Sequence, residues 1–116
     1  MREKELVLGE IESAFGMVPN FFKYQADVDP EWCDISWQRF TKIMLEGELD
    51  RKTKEIIAVV VSLVKDCNYC VEAHKNSLRM MGTSEKEIVE IFKVVELFES
   101  FNSIANSLNI PCDVMP

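Results

Sequence analysis

Apolar side chains recur three or four residues apart along most of this chain, and only four glycines and four prolines punctuate it. A helix turns once every 3.6 residues, so that spacing lines one side of a helix with apolar groups, whereas a strand needs strict alternation. The expected fold class is therefore all-α, with about six helices, two of them short. The first runs from residue 3 to about 14, with Leu6, Ile11 and Phe15 towards one side, and the GMVPN run at 16–20 breaks it. Pro19 is placed to open a short second helix. After the acidic turn DVDP, Pro30 suits the first turn of a third helix, which carries Trp32, Ile35, Phe40, Ile43 and Met44 and stops near Gly47.

Asp50 is a good N-cap for the segment DRKTKEIIAVVVSLVKD, although residues 56–64 are β-branched enough for a buried strand to compete. Helix is the preferred reading, because the polar lead-in lengthens the segment to about 16 residues, beyond the usual strand. Lys65 and Asp66 then follow with no hairpin signal. The fifth segment, NYCVEAHKNSLRMMG, closes at Gly82, and Ser84 with Glu87 forms a capping-box signal for the sixth. That last helix carries two apolar seams, Ile88, Ile91, Val95 and Phe98 on one and Val94, Leu97, Phe101, Ile104 and Leu108 on the other. So wide an arc in a chain of 116 residues suggests that a neighbouring subunit covers part of it, with a central place inside the single chain as the alternative.

At 116 residues and 47% hydrophobic content, the chain is expected to form one domain over residues 1–116, with core enough to need neither disulfides nor a structural metal. Lys and Arg total 13 against 20 Asp and Glu, and the formal charge of −7 repels polyanions, so nucleic acid is not an expected partner. The start, MREKELVLGE, is charged from its second residue and lacks the apolar stretch of a secretory signal, so a cytoplasmic location is expected. The longest apolar run, IIAVVVSLV, falls well short of the roughly 20 residues that cross a bilayer, and no membrane partner is expected.

Four cysteines stand at positions 33, 67, 70 and 112. In a reducing compartment a close pair suggests catalysis or metal binding. Cys67, Cys70 and His74 step by three and four, which places two thiols and the chain's one histidine on a single helical face. The pair falls at an expected helix N-terminus, where unpaired N–H groups and the macrodipole favour a thiolate by about 0.3–1 kcal/mol. The thiolate is the reactive form, and a CxxC pair so placed can cycle between dithiol and disulfide with little backbone movement. His74, within reach of a thiol, takes the general-base assignment, against a bland place on the helix surface. If the fourth helix folds back on the fifth about Asp66, Glu55 falls opposite residues 76–78, one turn from His74, where a carboxylate would orient the imidazole. For Glu55 taken alone, a solvated surface charge is the stronger reading.

No cofactor or metal is expected. The competing zinc reading makes Cys67, Cys70 and His74 three ligands, with Cys33, Cys112 or Glu55 as a fourth, but the second ligand pair usual in structural zinc sites is missing. A c-type haem needs histidine directly after the second cysteine, and Val71 stands there. Cys33 and Cys112 are expected to be buried spectator thiols. No Gly-rich phosphate loop or serine nucleophile elbow is present.

Glu55, eleven residues, Cys67-Asn68-Tyr69-Cys70, three residues and His74 together resemble the signature of alkyl hydroperoxidase D, of the carboxymuconolactone decarboxylase-like superfamily. LDRKTKEIIAVVVSLVKDCNYCVEAHKNSLRMMG is similar to that family's core helical hairpin, and GMVPNFF to its opening segment, so the resemblance covers most of the chain. It implies an all-helical bundle that assembles into homotrimers or homohexamers and reduces peroxides through a CxxC disulfide, with Glu55 and His74 as proton relay. It also implies that Cys70 attacks the peroxide and Cys67 resolves the intermediate, whereas helix-end physics alone favours Cys67 as the more acidic thiol. Well-known members carry a histidine between the cysteines where this chain has Tyr69, which puts proton transfer and partner recognition in question. The electron donor, a lipoylated protein in some members, is not readable here. Two other functions compete: a muconolactone-type decarboxylase, for which Arg39 or Arg79 would have to supply an anion site, and a non-catalytic zinc-bound or oligomeric scaffold.

Overall fold

The computed structural model describes residues 2–114, and the regular structure among them is entirely helical: α1 Lys4–Phe15, α2 Asn20–Val28, α3 Pro30–Leu45, α4 Arg51–Val64, α5 Asn68–Met80 and α6 Glu85–Ser107. The all-α, six-helix expectation holds, and residues 56–64 are helix rather than strand. The helices fall into two compact units, one ending at Asp50 and one beginning at Arg51.

In the first unit the helix ends follow local chemistry. Gly16 sits at φ 78°, and its N–H returns to the Glu12 carbonyl at 2.7 Å to close α1. A left-handed residue there is most cheaply glycine. Pro19 opens α2 as its N-cap residue. Asp29 caps α3 through its carboxylate, which accepts the Glu31 and Trp32 N–H groups, and Pro30 follows at the first helical position. The inner face of α1 differs by one residue from the expected one: Val7 and Ile11 are buried, while Leu6 is exposed. Phe15, Phe22, Trp37 and Phe40 form the aromatic centre, with Trp37 edge-on to Phe22 at 5.4 Å and stacked on Phe40 at 5.4 Å. Arg2 straps the N-terminus onto α3, giving hydrogen bonds to Asp34 Oδ1 from Nε at 3.0 Å and from Nη2 at 2.9 Å.

In the second unit, α4 and α5 form a hairpin around Val59, Leu78 and Ile88, the last contributed by α6. The reversal takes almost no chain. Asp66 adopts φ 58°, its N–H bonds to the Leu63 carbonyl at 3.1 Å, and the Cys67 N–H bonds to the Ser62 carbonyl at 2.9 Å. Those are the two bonds of a Schellman stop, with aspartate in the left-handed place that glycine usually takes. The same pair recurs at the end of α5, where Gly82 at φ 84° bonds to Arg79 O at 3.0 Å and Thr83 bonds to Leu78 O at 3.0 Å. Ser84 and Glu87 then make the expected capping box at the start of α6. Of the two α6 seams, Ile88 is buried and Ile91 and Val95 are half-buried, but residues 96–114 are exposed throughout. Among the described residues no helix is long and apolar enough to cross a membrane.

Candidate active site

The turn between α4 and α5 builds the site. Cys67 finishes the Schellman stop of α4 with its N–H and serves as N-cap of α5 with its side chain, so one residue serves both helix ends. Its Sγ accepts the Cys70 N–H at 3.4 Å, one of the orphan donors that every helix start must satisfy. Cys67 and Cys70 are joined as a disulfide, with Cα atoms 5.3 Å apart, an ordinary separation for that bond. Both are half-buried, and Tyr69 between them is exposed.

His74 lies one turn beyond Cys70 on the same face of α5. Its Nδ1 meets Oε1 of Glu55 across the hairpin. Glu55, Val59 and Ser62 are the buried residues of α4, and Glu55 is only 1% exposed. The surface-charge reading of Glu55 is thus overturned, because the α4 stripe that carries Val59 inward carries Glu55 with it. An Nδ1–H donated to that carboxylate would leave Nε2 as the ring nitrogen able to accept another hydrogen bond. The other carboxylate oxygen, Oε2, has Arg51 Nε at 3.6 Å, four residues back on α4.

The four sequence candidates come together in two contacts, Cys67 with Cys70 and His74 with Glu55. Glu55 meets His74 itself, the carboxylate–imidazole contact that the hairpin reading anticipated. Sequence reasoning missed Arg51, though its i,i+4 spacing from Glu55 was a usable signal. It also missed that Cys67 ends one helix while capping the next. Cys33 is buried as expected, with Sγ on the Phe22 carbonyl at 3.5 Å, and burial pushes its thiol above the ordinary cysteine range, away from reactivity. Cys112 departs from expectation and is exposed, like its neighbours from residue 108 to residue 114. Among the described residues no group of three His, Cys, Asp or Glu side chains is arranged to hold a metal ion. Arg79, weighed as an anion anchor, is forked onto Glu85 at 2.6 and 3.3 Å, and Arg39 is exposed on α3.

An all-helical chain with a disulfide-forming CxxC at the head of a hairpin, and an imidazole braced by a buried carboxylate from the facing helix, defines a class of small helical dithiol proteins. Residues 30–111 match the carboxymuconolactone decarboxylase family, and the chain belongs to that family as an AhpD-like member. Its fold is similar to the alkylhydroperoxidase AhpD core of Rhodospirillum rubrum, with a TM-score of 0.86 and 26% identity over 95% of this chain and 82% of that one. The alkyl hydroperoxide reductase AhpD of Rhodococcus erythropolis is 28% identical over 81 residues, 70% of this chain and 45% of that protein. Uncharacterized protein 4 in the cox locus of Paracoccus denitrificans is 38% identical over 48 residues, 41% of this chain and 43% of that protein. The chain spans about half the length of the curated relatives it matches.

Proposed function

We propose that this protein reduces peroxides through a dithiol–disulfide cycle of Cys67 and Cys70, with His74 and Glu55 handling the proton. The observation that carries the proposal is the Cys67–Cys70 pair with His74 on the same helical face, its Nδ1 against a buried Glu55. The Cys70 thiol gives its proton to His74 Nε2, and Glu55 stabilises the imidazolium through Nδ1–H. The thiolate attacks one oxygen of ROOH, the O–O bond breaks, and the departing alkoxide takes the proton to leave as ROH, with Cys70 as sulfenic acid. Cys67 attacks that sulfur, water leaves, and the disulfide forms. An external dithiol returns both cysteines to thiols and becomes a disulfide itself. A thiol or lipoyl-type protein fits that donor role, and the relative from Rhodococcus erythropolis is named for alkyl hydroperoxide reduction.

The same reading includes a homo-oligomer, a trimer or hexamer. Val94, Leu97, Phe101, Ile104 and Leu108 follow alternating steps of three and four, the seam of a helix that packs on other helices, and all five are exposed. The positions flanking the second half of that seam are Phe98, Ser100, Ala105 and Ser107, uncharged and compatible with a wide contact. A decarboxylase has less to rest on, since Arg79 is held by Glu85.

The test is peroxide consumption with a dithiol donor. Cys70→Ser abolishes it, and Cys67→Ser permits one stoichiometric oxidation without turnover. Full turnover in either variant contradicts the cycle.

A further inference from the structure

Arg51 opens α4 against the electrostatics of its own helix. The first turn carries Arg51, Lys52 and Lys54 and no acidic residue, although a helix N-terminus is the positive pole and disfavours cations. Lys52 is drawn outward, its Nζ reaching Glu87 Oε2 on α6 at 3.0 Å. Arg51 points to the carboxylate: its Nε is closed to solvent and stands 3.6 Å from Glu55 Oε2. Glu55 is therefore held from two sides, with a permanent cation at one oxygen and the His74 ring at the other.

We propose that Arg51 is a positioning residue for the Glu55–His74 pair, supplying the counter-charge that lets a carboxylate sit buried in the hairpin and aiming its Oε1 at His74 Nδ1. The inference rests on the dithiol reading of the site. A buried carboxylate is tolerated when it is paired, and the guanidinium stays charged over the whole working pH range. Three other cations of these elements, Lys52, Lys75 and Arg79, are paired elsewhere. On α5, Lys75 pairs with Glu72 at 3.6 Å and lies over the Phe92 ring, and Arg79 pairs with Glu85. On α6, Glu87 accepts Lys52 and makes the capping box with Ser84. Without Arg51 the Glu55 carboxylate loses its counter-charge and its aim at Nδ1, so it stabilises the imidazolium less, and the thiol that hands its proton to His74 ionises at higher pH.

The experiment is the pH profile of iodoacetamide alkylation at Cys70 in the reduced protein, with thermal melting recorded alongside. Arg51→Met moves the profile up by about half a pH unit, and Arg51→Lys, which keeps the charge, restores most of it. In a Glu55→Gln background Arg51→Met adds no further shift, because the effect runs through Glu55. An Arg51→Met profile that overlays the wild type, or a shift of equal size with and without Glu55, overturns the inference. A merely structural ion pair lowers the melting temperature and leaves the profile in place. If peroxide never closes the Cys67–Cys70 disulfide in the wild type, the dithiol reading fails and the inference with it. A disulfide that closes normally beside an unmoved Arg51→Met profile defeats the Arg51 role alone.

Discussion

Asp34 shows how a single buried charge can set the acid limit of the first unit. Its carboxyl is held below the ordinary aspartate range first by the Gln38 side-chain amide, at 2.9 Å, and then by Arg2. A folded value lying below the unfolded one means that the stabilisation is complete above the unfolded value of about 3.9 and drains away as the pH falls through the folded value. Both tryptophans, Trp32 and Trp37, lie on α3 in the same unit, so their fluorescence reports its melting. We expect the fluorescence-detected melting temperature to decline as the pH drops below about 4. Asp34→Asn should cost about 1–3 kcal/mol at neutral pH and lack that acid decline. A wild type and variant with parallel acid limbs would remove Asp34 from the account. The Arg2 contact was not legible beforehand, because Arg2 and Asp34 are 32 positions apart, whereas the Gln38 contact is an i,i+4 pair on α3 that spacing could have suggested. Cys67, Cys70 and His74, by contrast, were readable from spacing alone, since one helix and its N-cap carry all three. Glu55 lay between these cases: its distance along the chain was suggestive, but its burial depends on how α4 turns against α5.

At the scale of elements, the period of apolar residues was enough to count the helices, and the stop signals at Gly16 and Gly82 with the start signal at Ser84 located several of their ends. What the period left open was rotation. Val7 rather than Leu6 faces inward on α1, since neighbouring apolar residues give a stripe too broad to choose within. The turn before Cys67 was located without its mechanism, because an aspartate in the left-handed region is a rarer stop than glycine. That turn gives a direct test. Asp66→Gly should stabilise the second unit by about 1 kcal/mol, as glycine adopts φ 58° without the clash a Cβ brings. A loss of stability in chemical denaturation would show that the Asp66 side chain contributes more than its backbone costs.

At the scale of the whole molecule, α6 is the element least accounted for by its own chain. Its first half completes the core around Leu78, while its second half keeps Leu97, Phe101, Ile104 and Leu108 exposed. The wide apolar arc was visible in the sequence, and an open second seam is what a helix shared between subunits presents. Phe101→Glu places a charge in the middle of that seam and should convert the assembly to monomers in light scattering coupled to gel filtration. A wild type that already runs as a monomer would contradict the oligomer. The central claim, a redox cycle between Cys67 and Cys70, is tested most directly by mass spectrometry of alkylated protein after reduction, after mild peroxide and after a second reduction. The account predicts that Cys67 and Cys70 lose both labels together on oxidation and regain them on reduction, while exposed Cys112 stays labelled. Labels that persist on Cys67 and Cys70 through peroxide treatment would contradict it.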